Sequence, residues 1–330
     1  MAFATASISN VGGRTVNEDH CGFLEAPGAG CWVVADGLGG HGGGATASAL
    51  AVDAVLASFR ANPRVAADAL RSHLAAAHSA IIQRQNEPSL SQMRSTIVVL
   101  LADSERAVCG HLGDSRLYQF RNGAVEFQTV DHSVPGALAA SGSIQADEIR
   151  FHEDRNRVLR SLGNADELNP TIVERPLRQG DVFLLCTDGF WEYVTELEME
   201  ADSAKTSAPE EWLHDMASRL LHRAQPENDN WTAVAVFAGP PAVTSALRSR
   251  RVEAGTGRPM SVMEKASWAA IAFLGATLLV FLIILLFPQR VAAILRKTPR
   301  VSAPHAGKAD TGKNATTRRK DTATPGKPIQ

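Results

Sequence analysis

Four aspartates in this chain stand where short apolar runs end or begin: Asp36 in VVADG, Asp114 in HLGDS, Asp188 in LLCTDG and Asp229 in ENDN, just before Trp231. Strand ends gathered at one edge of a sheet would bring these carboxylates together, and their mutual repulsion would then demand a compensating cation. An all-oxygen ligand set selects a hard divalent ion, magnesium or manganese, over zinc or copper. Glycine follows both Asp36 and Asp188, so the backbone there can turn sharply and expose a carbonyl as a further ligand. A single strand-end aspartate is ordinarily a turn or cap residue; the set of four carries the inference.

The surrounding pattern predicts strands over Cys31–Ala35, Thr96–Ala102, Ala107–Leu112, Val182–Cys186 and Trp231–Phe237, each bounded by Gly or Asp. Alanine-rich stretches with helical spacing cover Ala45–Asn62, Ala66–Gln85 and Pro209–Arg223. The two longest helices follow one another with no strand between them, which does not suit a strictly alternating βαβ scheme and favours segregated α+β layers. Cys21, Cys31, Cys109 and Cys186 form no CxxC pair and read as small core residues.

The charge is divided along the chain. Residues 1–240 carry 18 Lys and Arg against 31 Asp and Glu, and residues 241–330 carry 15 against 4. The acidic part argues against nucleic-acid binding, which needs a basic surface to displace counterions. The basic part is the one suited to anionic lipid. Within it, the 20 uncharged residues after Ser267 (WAAIAFLGATLLVFLIILLF) would span roughly 30 Å as a helix, the thickness of a bilayer's hydrocarbon core. The expected organisation is a catalytic domain over 1–240, a polar linker over 241–266, a transmembrane helix over 267–288 and a basic disordered tail over 289–330. The first thirty residues show no charged segment followed by an apolar one, so no secretory leader is expected. The expected location is the inner membrane, single-pass, with the large domain in the cytoplasm, although flanking charge barely decides the orientation.

The strings Arg14-Thr-Val-Asn-Glu-Asp19, Val34-Ala-Asp-Gly-Leu-Gly-Gly-His41, Gly113-Asp-Ser-Arg-Leu-Tyr118, Asp131-His-Ser133, Cys186-Thr-Asp-Gly189 and Asp229-Asn230 resemble, in order and spacing, the motif series of metal-dependent type 2C serine/threonine protein phosphatases. The resemblance covers roughly residues 5–238. It implies a four-layer αββα sandwich, followed here by the single apolar helix, with a metal site in a cleft at one end of the sandwich. It further implies two Mn2+ or Mg2+ ions bridged by Asp36. Glu18 and the Gly37 carbonyl would hold one ion, Asp188 and Asp229 the other, and Asp19 would act through an intervening water. Asp114 with Asp188 matches a third, weaker position.

The implied reaction is hydrolysis of phosphoserine or phosphothreonine in proteins by a water activated between two ions, without a phosphoenzyme. No cysteine has an arginine six positions later, as a cysteine phosphatase would need. Arg14 is the candidate phosphate clamp, because a guanidinium offers paired donors to two phosphoryl oxygens. His41 is the candidate general acid. His132 reads as structural, and residues from about Val134 to Gly163 correspond to the family's variable flap. Its Arg150, Arg155, Arg157 and Arg160 are expected to form a solvated basic face or to meet acidic and phosphorylated partners. Arg94 and Ala45 depart from common family residues without touching an expected ligand. Expected partners are phosphorylated proteins, a cognate serine/threonine kinase and membrane lipid, with no nucleic acid. Three other roles compete: an inactive phosphopeptide-binding scaffold, a phosphatase acting on an anti-sigma-factor antagonist, and, from Asp188-Gly-Phe-Trp-Glu-Tyr-Val194, one linked to type VI secretion.

Overall fold

The structure is a computed structural model and describes residues 1–39, 43–164 and 168–239. His41 and the whole stretch 240–330, with its expected linker, membrane helix and tail, lie outside the described residues. In chain order the elements are β1 (Phe3–Asn10), β2 (Asp19–Ala26), β3 (Ala29–Leu38), α1 (Gly43–Ala61), α2 (Ala67–Arg84), β4 (Arg94–Ser95), β5 (Ile97–Ala102), β6 (Arg106–Leu112), β7 (Arg116–Arg121) and β8 (Ala124–Gln128). After these come α3 (Val134–Ala140), β9 (Thr171–Pro176), β10 (Val182–Cys186), α4 (Asp188–Trp191), α5 (Glu196–Ser203), α6 (Pro209–Arg223) and β11 (Trp231–Ala238).

One antiparallel sheet runs β1-β11-β10-β7-β8 and the other β2-β3-β5-β6-β9, with β4 pairing the far end of β3. Alternation along each central strand builds three apolar layers. Trp32 and Val34 of β3 meet Leu185, Val234 and Val236 between the sheets. Cys31, Val33 and Ala35 point the other way, onto Val55, Phe59 and Leu74 of α1 and α2. On the outer face of the first sheet, Leu184, Ala233 and Ala235 pack on Trp212, Met216 and Leu220 of α6. The result is the expected αββα order. Antiparallel sheets commonly leave one face to water, but here both are covered, so β3, β5 and β11 read as unbroken apolar runs.

Helix α6 shows how its sequence sets its bounds. Pro209 opens it with a preset φ and no N–H to satisfy, Glu210 and Glu211 sit in the first turn, and His222 and Arg223 sit in the last, complementing the helix dipole. Its buried Trp212, Leu213, Met216, Ala217 and Leu220 recur at helical spacing, and each large side chain fully buried stabilises by roughly 1.5–3 kcal/mol. Among the described residues no helix is long and apolar enough to cross a membrane.

Candidate functional site

Register places the first two carboxylates. The β2–β3 ladder sets Asp19 directly opposite Asp36, and the next residue, Gly37, donates its N–H to the Glu18 carbonyl at 3.1 Å. Gly37 and Gly44 pass so closely that a Cβ on Gly44 would lie 2.6 Å from Glu18 Oε1 and 2.7 Å from the Gly37 oxygen. Those two oxygens therefore converge on one spot, which only glycine leaves open. The Asp36 backbone is fixed by its N–H donating to Thr96 Oγ1 (3.0 Å) and by its carbonyl accepting from Ser95 Oγ (2.9 Å) and the Thr96 N–H (2.9 Å).

Asp114, Asp188 and Asp229 arrive from the ends of β6, β10 and β11. Before Asp114, Gly113 adopts φ +100°, and a Cβ there would also strike Thr96 at 2.7 Å, so that turn requires glycine. Asp188 opens α4, and the Gly189 N–H donates to its Oδ1 at 2.6 Å. Asp229 accepts from the Asn230 N–H at 2.8 Å and from Arg14 Nη2 at 2.9 Å. Arg14, Glu18, Asp36, Gly37, Asp114, Asp188 and Asp229 all line one open cleft of about 520 Å³, whose wall also includes Asn156 and Val158 of the 134–163 segment. Asp19 stands behind it, buried, accepting from Thr187 Oγ1 at 2.9 Å.

The electrostatics of the cleft are those of crowded carboxylates. Burial, and then Asp188, push the Asp36 carboxyl well above the usual range. Asp188 is raised by burial and then by Asp114. Burial lifts Asp19 to about 7, and burial followed by Asp131 lifts Asp114 to about 7. Asp114 Oδ1 is buried with no hydrogen-bond partner. Among the described residues no three His, Cys, Asp or Glu side chains already stand in ligating geometry. An all-oxygen donor set with excess negative charge and an orphaned carboxylate oxygen nevertheless fits a hard divalent cation.

Of the expected site residues, seven line this cleft, Asp19 lies behind it, and His41 lies outside the described residues. Three residues to which the sequence strings assign no role support the cleft. Asn230 accepts from the Glu18 N–H (2.7 Å) and donates to the carbonyls of Val11 (2.7 Å) and Val16 (3.0 Å), fastening the Arg14 loop to β11. Thr187 holds Asp19, and the Trp191 indole N–H donates to the Asp114 carbonyl at 2.9 Å. Their sequence signal is their place in the strings Asp229-Asn230, Cys186-Thr-Asp-Gly189 and Asp188-Gly-Phe-Trp-Glu-Tyr-Val194, which assign them no role.

Of the flap arginines, Arg155, Arg157 and Arg160 are exposed, as a solvated face requires, and only Arg150 departs from that expectation. Arg150 is buried and pairs with Glu196, Arg155 pairs with Glu192, and Arg157 pairs with Asp154. Those three are paired with carboxylates of the domain, whereas Arg160 lies 3.5 Å from His132 Nε2. His132 stacks on His111 with ring centroids 4.4 Å apart and lies 2.9 Å from Thr171 Oγ1.

Comparison with known proteins gives a consistent picture. The profile of the family described as Protein phosphatase 2C matches residues 9–230. The serine/threonine protein phosphatase PstP of Mycobacterium tuberculosis is 32% identical over 217 residues, 65% of this chain and 41% of that protein. The chain thus spans about two fifths of that relative's length. Among solved structures, PppA, a key regulatory component of T6SS in Pseudomonas aeruginosa, is 34% identical with a TM-score of 0.60, over 72% of this chain and 98% of that one. The catalytic domain of PstP in complex with 2 manganese ions is 28% identical with a TM-score of 0.61, over 71% and 97% of the two chains.

Proposed function

The chain belongs to the protein phosphatase 2C family, and on that premise we propose that it hydrolyses phosphoserine and phosphothreonine in phosphorylated proteins, opposing a serine/threonine kinase. The observation that carries this reading is the convergence of Glu18 Oε1 and the Gly37 carbonyl beside Asp36, on a cleft that Asp188, Asp229 and Asp114 also line. Two divalent ions, when bound, supply Lewis acidity and positive charge there. Asp36 with Glu18 and the Gly37 carbonyl would hold one ion, and Asp36 with Asp188 and Asp229 the other. Asp114 with Asp188 offers a third, weaker position. Asp19, held by Thr187, orders the cleft floor from behind. Arg14, at the cleft mouth, pairs phosphoryl oxygens with its fork of donors, and His41 gives a proton to the departing side-chain oxygen.

The test is phosphate release from a phosphothreonine peptide by the full-length chain with manganese, magnesium or chelator, beside Asp36→Asn and Asp229→Asn. Metal-dependent turnover lost in both variants supports the reading. Turnover indifferent to chelator overturns the site, and tight peptide binding without release favours a scaffold.

The finer proposal is that residues 267–288 anchor the enzyme in the inner membrane with residues 1–240 in the cytoplasm. The support is the uncharged 20-residue run after Ser267 and the basic balance around it. Unchanged membrane fractionation after removal of residues 265–330 would sink it. A place in the control of type VI secretion is favoured by the likeness to PppA; secretion unaffected by loss of the enzyme would remove it.

A further inference from the structure

Helix α4 carries Asp188 at its first position and Trp191 at its last, three residues on and so neighbours on one helical face. Asp188 lines the cleft itself. Trp191 reaches it indirectly, through the bond from its indole N–H to the Asp114 carbonyl. One helical turn therefore sets two carboxylates, one by its own side chain and one through another residue's backbone.

The indole is held in turn by buried charge. The Arg116 guanidinium lies 3.5 Å from the ring centroid, a cation–π contact in a desolvated setting. Arg116 donates to both Asp131 oxygens at 2.9 and 2.8 Å and to the Tyr118 hydroxyl at 3.1 Å. Arg150, from the turn Ala146–Phe151, lies 5.7 Å from the same ring, donates to the Val194 carbonyl at 3.2 Å and pairs with Glu196. Glu196 also accepts from the Tyr118 hydroxyl at 3.0 Å, closing the network.

Asp114 is thus fixed from behind by its backbone, while its Oδ1 is buried without a partner. On the far side of the network, Phe151 follows Arg150 in the chain and is 82% exposed. A protein surface pressing on Phe151 would act on Arg150 and, through Glu196 and Arg116, on the indole.

We propose that Trp191 is a positioning residue that sets Asp114 opposite Asp188, and that Arg116, Glu196 and Arg150 tie this setting to the 134–163 segment, so that cation affinity at the Asp114–Asp188 pair changes with the seat of that segment. The proposal rests on the metal-site reading above and names the residues that govern its weakest position.

Free Mn2+ is measured by electron paramagnetic resonance during titration of the full-length chain and of Asp114→Asn, Trp191→Phe and Arg150→Gln. Wild type shows a tight class and a weak class, and Asp114→Asn loses the weak one. Trp191→Phe keeps an aromatic ring over Arg116 but lacks the N–H, and it weakens the weak class about three- to tenfold with the tight class within about twofold. Arg150→Gln touches neither aspartate; it weakens the same class and speeds amide hydrogen exchange across 134–163. A weak class unchanged in Trp191→Phe, or both classes weakened equally, overturns the positioning role. Should Trp191→Phe fail to fold by circular dichroism, Arg150→Gln decides: faster exchange with an unaltered weak class overturns the coupling. A wild type with no tight class defeats the metal-site reading itself, whereas a tight class with no response to Asp114→Asn defeats only this inference.

Discussion

Asp19 and Asp36 occupy directly paired positions across the β2–β3 ladder, and Asp36 is raised by burial first and then by Asp188, Asp19, Asp114 and Asp229. Folding thus forces together charges that the unfolded chain keeps apart. Asp36→Asn removes one of them, crowded by four other carboxylates. In chelator it should raise stability by about 1 kcal/mol, read as a melting temperature higher by roughly 2–4 °C, while lowering turnover by more than the roughly 10–100-fold expected for an outer partner. Stability gained at the expense of activity is the signature of a functional cluster. A melting temperature that falls would mean that Asp36 is held by attractions this structure does not contain.

The same crowding sets a pH dependence. Asp19 and Asp114 have folded-state pKa values of about 7 against a reference of 3.8. Carboxyls raised on folding contribute stability that is full below the unfolded value and is lost as pH rises through the folded one. Metal-free chain should therefore melt at progressively lower temperature between about pH 4 and pH 7, with little further change from these groups above that window. Manganese should restore more stability at pH 7.5 than at pH 5.5, because protons compete for the same oxygens. Differential scanning calorimetry across this range, with and without manganese, checks both slopes; a metal-free melting temperature that rises over pH 4–7 would remove the repulsion argument.

The strands that could be read from sequence and those that could not divide by position in the sheets. β3, β5, β6, β10 and β11 are interior strands covered on both faces, so their apolar runs stand out. The unread β1, β8, β2 and β9 are the four sheet edges, where partial exposure admits residues such as Glu25, Glu126, Glu174 and Arg175 and dilutes the pattern. β7 is interior but carries Arg116 and Gln119, both buried and satisfied by Asp131 and Asp181 from distant parts of the chain. The site divides in a similar way. Asp36, Asp114, Asp188 and Asp229 can be read from their places beside apolar runs, and the Gly37 carbonyl from its place after Asp36, whereas Arg14, Glu18 and Asp19 depend on family resemblance. Asn230, Thr187 and Trp191 act through hydrogen bonds to residues 77 to 219 positions away, and local spacing records no such bond.

Arg14 and Asp229 form an ion pair with side chains 54% and 43% exposed. Such a pair contributes little to stability, so Arg14→Ala should leave the unfolding free energy within about 0.5 kcal/mol of wild type. Its loss at the cleft mouth should instead raise KM for a phosphothreonine peptide about 10- to 100-fold, the worth of a charge-assisted hydrogen bond. Arg14→Lys should recover only part of this, because an ammonium cannot present a planar fork. Steady-state kinetics at saturating manganese distinguish the cases: an unchanged KM would leave Arg14 as a surface residue.

Asn230 connects three backbone groups at once, accepting from Glu18 and donating to Val11 and Val16, while its own N–H donates to Asp229. Asn230→Ala orphans these groups beside a crowded acidic cleft, and the expected cost is about 2–3 kcal/mol, read as a lower urea midpoint with an unchanged slope. Asn230→Asp keeps an acceptor for Glu18 but loses both donors and adds a negative charge to the cluster. In chelator it should be the less stable variant, and manganese should narrow the difference between the two. Asn230→Asp matching wild type in chelator would show that the Val11 and Val16 carbonyls do not need the amide, and the Arg14 loop would then have to be held by its own turn.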